Sequence, residues 1–454
     1  MMCHGGSVEG ATDTARYGVR VGEFDHIVEA LQASPITTEF AKMAEANDFS
    51  RLDKSAAKRH HFVSQFLLRG FAQENNNQAC VFQMEIQSRR APIRVNVKTA
   101  ASRHRYYAVP DESGELSNRN EGYLAVVEEH AAPALRHLLD DPDSLTPGER
   151  ATIAFFVALQ TMRTPAAEQQ IRTVANVAFQ NWASEFYSDR SAFAERHREY
   201  FRNDATDEEL EAFRLETLAQ IRDGRLKLSG REAAISTGLT HAIENVPWLI
   251  EFHWTLLRAP DGGFVTSDRG YAIHDPDPRF PWSFQALLSS EATETSVPIS
   301  DTACLVMRPT PMGCQLHVRD ASPREIETIN LRTFGWAEKY VFGRSHETLV
   351  AVRRATRHRP ADVVRPRPFV QVIGLEPDPD DRSLIDANVR RGWPAQLLND
   401  QGELRDYIVI ECDKPRPELR ALADELAERR ARKRLGVGPE EPFEGKIVHQ
   451  PIQP

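Results

Sequence analysis

His60 and His61 sit in the segment Lys58 to Ala72, where Gln65 and Arg69 are also set among Phe62, Phe66 and Phe71. Bulky aromatics seek a core, so the polar groups between them must be hydrogen-bonded, solvent-facing or engaged with a ligand. Imidazole is a common general base near neutral pH and a common metal ligand. Adjacent side chains diverge in a helix or a strand alike, so the two rings do not share one ion with ideal geometry. One of the pair is then the actor, unless the first only caps the short helix or bonds to backbone.

Two further segments add charge in apolar surroundings. On a helical wheel of about 100° per residue, Leu124, Val127, Ala131, Leu135 and Leu138 share a face, and Glu128 falls inside it. A carboxylate there must be protonated, paired with a cation or bound to a metal. His130 and His137 fall on the opposite face, where solvation explains them. Ile153 to Leu159 is apolar nearly all round, which predicts a central buried helix, with Gln160 and Arg163 projecting from its end before Pro165. A guanidinium there can lock a carboxylate bidentately or grip a phosphate; the plainer alternative is a structural pair between Arg163 and Glu128. Asp268 ends the strand-like Phe264-Val265-Thr266-Ser267, where an aspartate is either a turn cap or a ligand.

This set suits one reaction class. His60 or His61 as base or ligand, Glu128 and Asp268 on a divalent ion such as Mg²⁺, Mn²⁺ or Zn²⁺, and Arg163 against developing negative charge form the kit of a metal-dependent hydrolase acting on a phosphodiester. Gln65, Arg69 and Gln160 are further polar candidates. The alternative is a non-catalytic sensor or regulatory module in which the same cluster binds a small anion or a partner, or fixes the fold. An enzyme requires the groups to converge in an open cleft; a scaffold requires closed, mutually satisfied pairs. The sequence has no Gly-x-x-x-x-Gly-Lys-Ser/Thr, Gly-x-Gly-x-x-Gly, Gly-x-Ser-x-Gly or His-Glu-x-x-His, which argues against ATP-driven, dinucleotide-dependent, serine-hydrolase and zincin chemistry.

The segment His60-His61-Phe62-Val63 running to Leu68-Arg69-Gly70-Phe71 resembles the opening signature of a bacterial family catalogued only as domain of unknown function 4238. Later stretches are similar in kind and order to that family's landmarks: Glu121 to Glu128, Leu159 to Pro165, Phe264 to Asp268 and Val297 to Ser300. The resemblance spans roughly residues 58 to 345. Ser64 stands where the family often has proline, and Asp268-Arg269-Gly270 where it often has Asp-x-Pro; serine is a good helix N-cap and glycine a good turn residue, so the local geometry survives. The resemblance implies no activity.

The elements that must position these residues follow from caps and periods. Cys80 to Ile86 and Ile93 to Val97 alternate as a hairpin. A helical block covers about 117 to 230, with starts at Thr146-Pro147-Gly148-Glu149 and Thr206-Asp207-Glu208-Glu209. From about 246 the period changes: Ile250 to Leu256 and Phe264 to Ser267 read as a hairpin, as do Ala303 to Met307 and Cys314 to Val318, before Ser322-Pro323-Arg324-Glu325 caps a helix towards Trp336. Helices and strands in separate runs predict an α+β fold, a helical block packed with antiparallel hairpins, plus a small α+β appendage at the C-terminal end.

Residues 1–50 read as a loosely attached arm, 51–350 as the main domain, 351–368 as a basic, proline-containing linker and 369–454 as the appendage, with strands at Phe369 to Ile373 and Tyr407 to Ile410 and a helix from Pro417 to Leu435. With 41% hydrophobic and 27% charged residues the chain is globular, and no stretch reaches the roughly 18 apolar residues of a membrane span. The start lacks the basic and apolar regions of a secretory signal, which predicts a cytoplasmic protein without membrane attachment. Five scattered cysteines without a Cys-x-x-Cys pair support neither a disulfide framework nor a thiolate zinc site. A formal charge of -10 argues against strong general affinity for nucleic acid, leaving the local basic strip at 353–367 as the one candidate contact; partners are otherwise unknown.

Overall fold

The computed structural model describes residues 25–53, 57–75, 77–111, 114–188, 190–200, 205–222, 230–274, 293–309, 315–359, 370–374 and 407–411. It forms an α+β fold in two compact units, residues 1–167, 235–278 and 284–366 in the first and 168–234, 279–283 and 367–454 in the second.

In the first unit the helices α1 (Asp25–Ala33), α2 (Pro35–Glu45) and α3 (Ser50–Asp53) precede a short strand β1 (Arg59–His61) and a one-turn-plus helix α4 (Gln65–Arg69). Strands β2 (Gln73–Asn75), β3 (Gln78–Glu85), β4 (Ile93–Asn96) and β5 (Ser102–His104) follow, then the small pair β6 (Val109–Pro110) and β7 (Leu116–Ser117). The long α5 (Arg119–Asp140) and α6 (Pro147–Met162) pack together. The helix α7 (Pro165–Ser188) contains the division between the units.

The expected arm is in part a structured layer. Ile27, Ala30 and Ile36 are buried in the main core, and α1 packs along α6, because a helix apolar on every side needs cover on every side. Ala151 to Thr161 of α6 are all buried, as its composition requires. Its start carries the full capping box: the Glu149 amide donates to Thr146 Oγ1 and the Thr146 amide to Glu149 Oε2.

Two further helices, α8 (Arg190–Tyr200) and α9 (Asp207–Arg222), belong to the second unit, where Phe193, Ala205 and Leu210 form a small core with Phe186 and Tyr187. Then come α10 (Arg231–Glu244), which starts in the second unit and ends in the first, and α11 (Val246–Glu251). Strands β8 (His253–Arg258), β9 (Thr266–Ser267), β10 (Ala272–His274), β11 (Glu294–Ser300), β12 (Ala303–Arg308) and β13 (Leu316–Asp320) lead to α12 (Pro323–Trp336), β14 (Tyr340–Gly343) and α13 (His346–His358). In the second unit β15 (Val370–Gly374) pairs antiparallel with β16 (Tyr407–Glu411), at the positions read as strands. The helix expected over Pro417 to Leu435 lies outside the described residues.

One sheet runs β10-β11-β12-β8-β13 and another β2-β3-β14-β9, with β4 added on β3. The β3–β4 hairpin forms as expected. Two others do not. Phe264 to Ser267 leaves β8 altogether and its β9 portion pairs with β14, while β12 and β13 lie on either side of β8, antiparallel and parallel respectively. Alternation reports which face of a strand is buried, not which strand lies beside it. Ile250 is also helical and not extended, since Asn245 and Pro247 start α11.

The basic run begins on a helix rather than in a linker. Ser345 caps α13, Leu349 and Val352 are buried along one stripe, and Arg353 donates from Nη1 to the Arg90 carbonyl at 2.7 Å. No helix among the described residues is long and apolar enough to cross a membrane.

Candidate functional site

The extended β1 pairs with β5 and sends its two imidazoles to opposite faces. His60 is fully buried against Tyr107, ring centroids 5.8 Å apart. Its Nδ1 accepts the Tyr107 amide at 2.9 Å, so the ring carries its proton on Nε2 and donates it to the Ala57 carbonyl, also at 2.9 Å. A neutral ring held by backbone at both nitrogens is a brace. On the other face, His61 is buried with Nε2 lacking a hydrogen-bond partner. Burial lowers its pKa, opposed by the Val97 carbonyl and the Glu128 charge.

The helices α5 and α6 bring Glu128 and Arg163 together, as their shared placement on packed faces predicts. Arg163 Nη1 lies 2.6 Å from Glu128 Oε1, with the arginine side chain 3% exposed and the glutamate side chain 26% exposed. Nη1 also donates to Ser64 Oγ at 3.2 Å, and Nη2 donates to the His61 carbonyl at 2.5 Å. Ser64 does occupy the position before α4, but its hydroxyl makes no cap bond and donates to Glu128 Oε1 at 2.8 Å. Tyr107 closes the knot: its hydroxyl donates to the Arg163 carbonyl at 2.6 Å. Burial works against the arginine charge, yet Glu128, Tyr107 and Glu121 outweigh it and its pKa is raised. Burial pushes the Tyr107 phenol up as well.

Glu121, two helical turns before Glu128, is the group sequence reasoning missed. Its Oε2 is buried without a hydrogen-bond partner. Burial pushes its carboxyl up to about 7; Arg163 pulls the other way and Glu128 adds to the rise. The i, i+7 spacing on one helix face was the available signal, since those positions nearly eclipse.

Two of the remaining candidates, Gln160 and Asp268, bond to backbone. Gln160 Nε2 donates to the carbonyls of Phe62 and Arg269, both at 2.9 Å, tying the signature segment to the turn after Asp268. Gly270 in that turn has φ +76°, and a Cβ there would lie 3.0 Å from Gln160 Nε2, so a side chain is excluded by both backbone and space. Asp268 Oδ1 accepts the Glu338 amide at 2.9 Å, and Oδ2 accepts those of Lys339 and Tyr340 at 2.7 and 2.9 Å. Burial pushes this carboxyl up, and the three amides pull it back. Gln65 is half-buried and Arg69 exposed on α4, with no hydrogen bond to the cluster.

His61, Ser64, Tyr107, Glu121, Glu128 and Arg163 thus converge, whereas Asp268 is committed to the strand start at β14. Among the described residues no three His, Cys, Asp or Glu side chains are grouped as a metal site, and Asp268 does not join Glu128.

A cleft of about 730 Å³ opens beside this knot, lined by Phe62, Arg103, Pro165, Asp268, Lys339 and Tyr340 among others. Arg103 stands over the rings of Phe62 and Tyr106, 5.9 and 5.6 Å from their centroids. It is exposed, and no described residue gives its guanidinium a salt bridge or hydrogen bond. Lys339 Nζ lies 3.7 Å from Glu85 across the same cleft.

Comparison with curated proteins and with solved structures finds no match. The family comparison does: residues 59–347 match the family described as "Protein of unknown function (DUF4238)", a span that begins at β1 and ends just beyond β14. By that match over more than half of its length, the chain belongs to this family.

Proposed function

We propose that the domain is a non-catalytic binding module whose ligand is a small anion, held in the cleft beside the signature segment. The observation that carries this reading is Arg103. Its guanidinium lies over two aromatic rings while its donors stay open, and a fork with free N–H groups matches a carboxylate or a phosphate. The residues first suspected of chemistry support it from behind: His60, Gln160, Asp268 and Arg163 direct their polar atoms to backbone or to each other. Those bonds turn inwards as a scaffold's do, with Gln160 Oε1, His61 Nε2 and Glu121 Oε2 left as buried atoms without a partner.

Glu121 favours a second reading, a hydrolase acting on a phosphodiester. A carboxyl at about 7 beside a second carboxylate is suited to exchange protons near neutral pH. A divalent ion in that reading would rest on Glu121 and Glu128, with Asp268 engaged elsewhere.

One experiment separates the two. The full-length protein is titrated with a panel of small mono- and dicarboxylates and inorganic phosphate, as wild type and Arg103→Ala, and is assayed on a chromogenic phosphodiester with and without Mg²⁺, Mn²⁺ and Zn²⁺. Saturable binding that Arg103→Ala weakens, without turnover, supports the module. Metal-dependent turnover lost in Glu128→Ala and Glu121→Gln would replace it with the hydrolase.

A further inference from the structure

The same unit carries a second cleft, of about 240 Å³, on the sheet face covered by α12. Register sets its lining. Thr255 and Leu257 of β8 lie opposite Val306 of β12 and Arg319 of β13, and paired positions in a sheet share a face. Arg308 continues that face at the end of β12, and Glu294 begins β11 beside it. The first turn of α12 adds Arg324 and Glu325, and Arg332 follows two turns later.

Four guanidiniums meet two carboxylates here, leaving two positive charges in a chain whose formal charge is -10. The carboxylates fix most of these side chains without exhausting them. Glu294, buried, takes Arg308 on one oxygen and Arg332 on the other. Glu325 takes Arg319 through both nitrogens of its fork, at 3.2 and 2.6 Å, while serving as the capping-box partner of Ser322. Each guanidinium has five N–H donors in a fixed plane. Arg308 binds Glu294 through Nε and Nη2, leaving Nη1 uncommitted; Arg332 binds through Nη1. Arg324 has no salt bridge or hydrogen bond from any described residue.

We infer that this cleft is a binding site for a multiply charged phosphate-class anion, with Arg308, Arg319 and Arg332 pre-oriented by Glu294 and Glu325 and with Arg324 closing on the ligand. Multiple planar forks suit the several acceptor oxygens of a phosphoryl group better than the two of a carboxylate. The first turn of α12 contributes the positive end of its helix dipole. The volume lies below the roughly 300 Å³ at which pockets for drug-sized ligands begin, so it takes a phosphoryl head while the remainder of any larger molecule projects outwards. This site is separate from the Arg103 cleft and does not depend on it.

The test is calorimetric titration of the full-length chain with pyrophosphate at low salt, for wild type, Arg324→Ala, Arg324→Glu and Arg103→Ala. Arg324 supports no described contact, so its variants retain the fold. Saturable binding that falls about tenfold in Arg324→Ala, falls further in Arg324→Glu and is unchanged in Arg103→Ala is the expected result. Absence of saturable binding, equal affinity in wild type and both Arg324 variants, or loss in Arg103→Ala alone would overturn the assignment; the last places the anion in the other cleft. Parallel titrations with a nucleoside triphosphate and with vesicles bearing phosphate-monoester headgroups identify the source, since tighter Arg324-dependent binding of either supports the site and names its occupant.

Discussion

Glu121→Gln is expected to remove most of the alkaline weakening of the first unit. The folded protein holds the Glu121 proton to about 7, against an ordinary glutamate value of 4.5, chiefly because the carboxyl is buried and Glu128 lies close by. A carboxyl with a raised folded-state pKa contributes stability that is complete below the unfolded pKa and disappears as pH rises through the folded one. At about 1.4 kcal/mol per pH unit, the window from 4.5 to about 7 corresponds to about 3 kcal/mol lost between roughly pH 4.5 and 8. Glutamine keeps the side-chain length and cannot ionise. Wild type and variant should therefore match near pH 4.5, with the variant more stable by about 2 to 3 kcal/mol at about pH 8. His61 has its pKa lowered by burial, so its contribution runs the other way: present above the ordinary histidine value of 6.5 and lost as pH falls. Because both proteins contain it, the difference between them isolates Glu121. The assay is urea denaturation at a series of pH values, followed by tryptophan fluorescence, to which buried Trp254 contributes. Parallel pH profiles, offset or not, would refute the reasoning, since they would show that Glu121 is ionised in both states.

Two substitutions test the scaffold. Asp268→Asn leaves one acceptor oxygen for three amides and turns an N–H₂ towards them, so a loss of about 2 to 3 kcal/mol is expected, with faster hydrogen exchange at residues 338–340 as the local readout. Gly70→Ala places a Cβ 2.3 Å from the Ile299 carbonyl oxygen, an approach no side chain tolerates; at least about 2 kcal/mol of destabilisation is expected in thermal unfolding, and an unchanged midpoint would show that α4 can shift away from β11.

What the sequence revealed was local. The capping boxes at Thr146 and Ser322 announce α6 and α12 because the partner lies three residues along the chain. The Glu128–Arg163 pair was legible for a related reason: each is a charge in apolar helical surroundings, and pairing with the other is one of the few ways to resolve that. Ser64 and Tyr107 were not legible as members of the site, since nothing in their own surroundings says that α4 and the loop after β5 converge on the end of α6. Asp268 was noticed as a strand-end carboxylate. Its partners, the amides at 338–340, are supplied from seventy residues away, and a sequence pattern cannot distinguish three backbone donors from a metal ion. The first helices belong to the core for the converse reason: α1 and α2 are amphipathic but short, and it is α6, apolar all round, that gives their apolar faces a place to bury.

The position of β14 has a consequence for synthesis. Residues 340–343 lie between β3, from residues 78–85, and β9, at 266–267. On a ribosome, β3 emerges long before the strand that completes its sheet, so its open edge must wait through more than two hundred residues of elongation. At about 5 to 20 residues per second that wait lasts on the order of ten seconds or more. During it, the β3 edge is a template for wrong pairing. A chain stopped before β14 leaves this sheet without the strand that joins β3 to β9, and the family match, ending at residue 347, encloses that last strand with little to spare.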